Sequence, residues 1–110
     1  MKRILAYALC IFALSGCADP IPLERQDYVG LWQSAQMYVY ISSDGTVQYK
    51  RVKDGLSTTI DAPLQEFNGD DFIVGLLWMN TRFVVSVPPH QIDGQWKMTV
   101  DGVELTKVEE

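Results

Sequence analysis

Five turn signals, Asp44-Gly45, Asp54-Gly55, Asn68-Gly69, Asp93-Gly94 and Asp101-Gly102, cut the chain beyond residue 28 into pieces suited to short β-strands. Such pairs tolerate the positive φ of tight hairpins, because glycine has no Cβ and Asp or Asn can bond the local backbone. Between the turns apolar and polar residues alternate. Met37, Val39 and Ile41 share a face opposite Tyr38 and Tyr40, while Trp96, Met98 and Val100 oppose Lys97 and Thr99. Val103 and Leu105 oppose Glu104 and Thr106 in the same way. A period of two belongs to a strand with one dry face, and no helical period competes with it after residue 17. The strands predicted are 28–34, 36–41, 46–52, 56–60, 64–67, 71–77, 81–87, 95–100 and 103–108. Short connections pair sequence neighbours in space. The expected fold is therefore all-β, a small antiparallel meander of about eight strands that closes into a barrel and so removes its exposed edges.

The N-terminal end is of a different kind. Lys2 and Arg3 precede an uncharged, mostly apolar run over residues 4–14. That run is too short for a membrane-spanning helix, which needs about 20 residues, but it suits the apolar region of a secretory signal. Leu14-Ser15-Gly16-Cys17 follows. This arrangement resembles the signal peptide and lipobox of bacterial lipoproteins. The resemblance implies cleavage before Cys17, a diacylglyceryl group on the Cys17 thiol and a further acyl chain, such as palmitate, on the new amine. Ala18 stands where Asp would retain such a protein in the inner membrane, so the expected site is the periplasmic face of the outer membrane. Three segments result: a signal peptide (1–16), a lipidated Cys with a flexible tether (17–27), and a barrel domain (28–110). The tether, polar and with two prolines, would reach about 30 Å when extended.

Cleavage would remove Lys2 and Arg3 and leave seven basic side chains against fourteen acidic ones. A domain of that balance has no general attraction for nucleic acid or anionic lipid headgroups. Cys10 would leave with the signal and Cys17 would be acylated, so no intrachain disulfide is expected and the core must stabilise a domain of small size.

Gly30-Leu31-Trp32 is similar to the Gly-x-Trp of lipocalin-like barrels. That resemblance implies the barrel shape and a core position for Trp32; the long loop and C-terminal helix of lipocalins have no counterpart. The inward residues expected from alternation are Trp32, Met37, Val39, Ile41, Val47, Leu56, Ile60, Phe72, Val74, Phe83, Val85, Trp96, Met98, Val100 and Leu105. Side chains of that size fill a small barrel rather than leave room for a ligand.

One segment breaks the alternation. Residues 72–79 (FIVGLLWM), with Phe83-Val84-Val85, are apolar at successive positions. Ile73, Leu77 and Val84 are expected to point outward, with Trp78 and Met79 at the turn. They are either covered by the tether or another loop, or exposed as a patch that docks a partner or touches the membrane. Leu77, Trp78, Met79 and Arg82 form the candidate partner-binding patch, since aromatic and arginine side chains are enriched in binding hot spots. Pro88-Pro89-His90 reads as a rigid surface connection between strands, with His90 lacking companions at ligand spacing. Tyr38, Tyr40 and Tyr49, near Lys50 and Arg51, are expected as an outward aromatic stripe, explained by cross-strand packing or by sugar binding. Asp70-Asp71 and Asp61 read as solvated turn carboxylates. No nucleophile elbow, phosphate-binding loop or Cys/His cluster is present in the sequence.

The function expected is thus non-catalytic: a membrane-anchored lipoprotein that binds an envelope protein or serves envelope assembly, with no cofactor, metal or nucleic-acid partner. The alternatives are a small-ligand carrier of lipocalin type and an inhibitor of a periplasmic enzyme such as lysozyme, a family that usually carries a disulfide absent here.

Overall fold

The computed structural model describes residues 18–76 and 78–108. The expected signal peptide, Cys17 and Leu77 lie outside the described residues. Nine antiparallel strands form one curled sheet: β1 (Gly30–Gln33), β2 (Met37–Ile41), β3 (Thr46–Lys53), β4 (Leu56–Asn68), β5 (Asp71–Leu76), β6 (Met79–Phe83), β7 (Val85–Ile92), β8 (Gln95–Val100) and β9 (Val103–Lys107). Their order across the sheet is β6-β5-β4-β3-β2-β1-β9-β8-β7. This is the expected all-β meander, with β1 pairing β9 at its middle. The sheet curls into a half-barrel rather than closing, so the exposed edges expected to be removed remain, as β6 and β7. Three hairpins turn on Asp54-Gly55, Asp93-Gly94 and Asp101-Gly102, each pair having positive φ at both residues.

Local chemistry moves several strand limits. Predicted strands 56–60 and 64–67 are one strand, because Asp61, Ala62 and Pro63 continue to pair with Gln48, Val47 and Thr46. The Leu64 N–H donates to the Gly45 carbonyl at 2.8 Å. Backbone groups alternate along an antiparallel strand, so the missing N–H of Pro63 falls on the side away from β3 and costs that ladder nothing. The strand expected over 81–87 divides at Val84 into β6 and β7. Nor is Pro88-Pro89-His90 a connection: β7 runs through it, with register shifts on either side of Val87. A sheet-edge strand can absorb prolines in this way.

β6 and β7 are consecutive in the chain yet occupy the two edges of the sheet. Among the described residues the corner between them is held by two carboxylates. Asp101 accepts a hydrogen bond from the Val84 N–H at 2.9 Å, and its own N–H donates to the Val84 carbonyl at 2.8 Å. Asp71 accepts from the Val85 N–H at 2.8 Å and pairs with Arg82 at 3.0 Å. Asp71 is therefore part of the fold rather than a solvated turn residue.

The interior is filled. Trp32, Val39, Ile41, Val47, Phe72, Met98, Val100 and Leu105 are fully buried. Phe72 stacks on Phe83 at 5.0 Å between ring centroids, and Tyr49 meets Phe83 edge-on. Tyr49 is thus a core residue, not part of an outward stripe; it shares its face with Val47. Leu56, expected inward, is 74% exposed because the β3–β4 hairpin overshoots the barrel. Gly30 supports Trp32 indirectly. A Cβ there would lie 3.1 Å from Cδ of Lys107, whose ammonium sits between the Trp32 and Trp96 rings at 4.9 and 5.0 Å from their centroids.

Residues 18–27, read as a free tether, are packed on the barrel. Ile21 is buried and its N–H donates to the Ser43 carbonyl at 3.0 Å. A 3-10 helix, Leu23–Tyr28, then crosses the barrel end. It is fixed by Arg25 donating to the Gly69 carbonyl and by the Tyr28 hydroxyl donating to the Asp70 carbonyl, both at 2.8 Å. The Tyr28 ring packs edge-on against Phe67 and Phe72. Burial of Ile21 and Tyr28 holds this segment down, while Leu23 between them stays exposed.

Candidate functional site at the hairpin end of the barrel

Strand direction sorts the connections into two ends. The β2–β3 turn, the β4–β5 turn and the Val84 corner lie at the end covered by residues 18–28. The β3–β4, β5–β6 and β7–β8 hairpins lie at the other.

The candidate patch belongs to this second end. Phe72↔Phe83, Val74↔Thr81 and Leu76↔Met79 are cross-strand pairs on the inner face of β5 and β6. The first pair is core and the last is open to solvent, so the patch is the outer end of the inner face. Trp78 is 80% exposed and Met79 66% exposed. Leu76 joins them, and the alternation from Phe72 through Val74 was the signal that pointed to it. Residues 18–27, the expected cover, lie at the opposite end. Val84, half exposed, is also there, and Ile73 is half-buried on the outer face.

Arg82 does not join Trp78. It pairs with Ile73 on the outer face, and its Nε is engaged by Asp71. The Val85 N–H first, and Arg82 second, hold the Asp71 carboxyl below the usual carboxylate range.

Trp78, Met79 and Leu76 face a groove of about 370 Å³ whose other side is formed by Ile60 and Ala62 of β4. Gly75 at its floor has φ 154°, and a Cβ there would collide with the Met79 carbonyl, so glycine is what allows the hairpin to close this tightly. Gln65 Nε2 donates to the Gly75 carbonyl at 2.9 Å and ties β4 to the hairpin. Above the groove stands the end of the β3–β4 hairpin with Lys50, Arg51 and Lys53. Arg51 and Lys53 share the inner face with Val47 and Tyr49, whereas Lys50 is on the outer face beside Tyr38. Among the described residues the only ion pair is Arg82–Asp71. The Arg51 Nε is buried with no hydrogen-bond partner.

Elsewhere, Tyr38 and Tyr40 do form an outer surface with Leu31, Gln33 and Gln48 around a shallow depression. The His90 Nδ1 lies 3.0 Å from the Pro88 carbonyl, a contact within its own strand. Among the described residues no group of three or more His, Cys, Asp and Glu side chains could hold a metal ion, and no helix is long and apolar enough to cross a membrane. Compared with known protein families, curated proteins and solved structures, the chain matches none.

Proposed function

We propose that this chain is a lipid-anchored, non-catalytic binding protein of the bacterial envelope. Its acylated Cys17 holds one end of the barrel at the periplasmic face of the outer membrane, and its hairpin end, at Leu76, Trp78 and Met79, contacts a partner protein. The observation that carries this reading is the separation of the two features. Ala18 leads directly into a segment fixed across one end, and the exposed apolar side chains of the β5–β6 hairpin lie at the other. A packed segment transmits the position of the anchor to the domain, which a free tether would not do. The filled interior favours a binding surface over a carrier of lipocalin type.

Crosslinking in intact cells tests it. Trp78→Glu places a charge at the centre of the patch without touching the core, and should abolish crosslinks formed by the wild type at normal protein levels. Unchanged crosslinks would remove the patch from the reading.

A further inference from the structure

Among the described residues, half of β4 has a bare edge. Beyond Leu64 no residue of β5 pairs with β4, while β3 continues to pair with it as far as Lys53↔Leu56. Because Leu64 turns its N–H toward β3, residues 57, 59 and 61 turn their N–H and C=O groups to the open side. Pro63, next in that series, offers no N–H, and there β5 departs. Folded proteins blunt such edges with lysine, proline or a bulge. Here the edge carries Leu56, Ser57, Thr58, Thr59 and Ile60, uncharged and mostly suited to strands. Its one charge is Asp61 at the end nearest β5, on the outer face with Gln48 and away from Arg51 and Lys53.

The edge borders the groove lined by Ile60, Ala62, Leu76 and Trp78. An extended segment laid along it would bond with Ser57, Thr59 and Asp61 and send alternate side chains into the groove, the mode of strand addition. The charge of that segment follows from β3. Arg51 and Lys53 stand on the inner face opposite Thr58 and Leu56, and among the described residues neither has an ion-pair partner. A strand added beside β4 would lie about 10 Å from β3, two interstrand spacings. The short Thr58 leaves Arg51 a path across to it. A second copy of this chain fits less well, since pairing two β4 edges would bring both sets of cations together. We propose that the free edge of β4, residues 57–61, receives an extended acidic segment of another protein as an added strand, with its apolar side chains in the groove beside Trp78. This inference rests on the partner-binding reading of the hairpin end.

The test uses the full chain in detergent and a displayed library of random linear peptides. Enriched peptides should alternate apolar and acidic residues. In hydrogen exchange they should protect the amides of Ser57, Thr59 and Asp61. Thr59→Pro removes an N–H that the β3–β4 ladder does not use, and should weaken binding by about tenfold or more, the worth of about one hydrogen bond to the added strand. Reversing both cations, Arg51→Glu with Lys53→Glu, should shift the enriched peptides from acidic to basic and serves as the check if Thr59→Pro disturbs folding. No enrichment, basic or unpatterned peptides, or equal binding by Thr59→Pro would overturn the proposal. So would edge protection that rises with protein concentration alone, the mark of a homodimer. If Trp78→Glu abolishes crosslinks in cells and Thr59→Pro does not, strand addition fails while the patch stands; if neither does, both fail.

Discussion

Asp71 lies next to Asp70 in a turn sequence, and nothing in its neighbourhood along the chain marks it out. Its role comes from contacts across the fold, where one oxygen accepts from Val85 and the other meets Arg82. Because the folded protein depresses its protonation, the stability it contributes is present above the ordinary Asp value of about 3.9 and is lost as pH falls through the lower folded value. Asp44, depressed by hydrogen bonds from Ser42 and Thr46, contributes to the same acid limb. Asp71→Asn can still accept from Val85 but cannot pair with Arg82 as an ion. Its Tm should fall less steeply than that of the wild type as pH is lowered from about 5 to about 2, the two curves converging in acid. Parallel curves would mean that this carboxylate does not hold the corner.

At the scale of elements, the turn pairs and alternation made the strands legible, and the inner face of β2, Met37, Val39 and Ile41, is fully as expected. What sequence could not show was decided by distant partners. Tyr49 followed the parity of Val47, yet its hydroxyl made an outward place equally plausible. β4 continued past Pro63 because the proline faces away from its stronger ladder. The patch at Trp78 and Met79 was visible as a break in alternation, but its extension to Leu76 and the removal of Arg82 depended on which face of the hairpin opens into the groove. Ile21 was hidden in a polar segment whose docking site, the β2–β3 turn, is remote in sequence. Gly45 makes that docking possible: it has φ 98°, and a Cβ there would collide with the Asp19 carbonyl. Gly45→Ala should therefore destabilise the fold by about 1–3 kcal/mol. It should also raise exchange at the Ile21 amide in hydrogen-exchange measurements. A neutral substitution with Ile21 still protected would show that the segment docks by other means.

At the scale of the molecule, the domain has two unlike ends. One is covered by residues 18–28 and would lie against the membrane if Cys17 carries lipid. The other presents, among the described residues, an apolar groove, a bare strand edge and two cations, Arg51 and Lys53, outside any ion pair. A spin label distinguishes the ends most directly. If Cys10 leaves with a cleaved signal and Cys17 is acylated, as proposed, the substitution Leu23→Cys or Trp78→Cys supplies the single labelling site in the processed chain. In vesicles, the two-ended arrangement predicts that the label at 23 is relaxed by a lipid-soluble paramagnet and the label at 78 by a water-soluble one. A label at 78 that reports the lipid phase would contradict it.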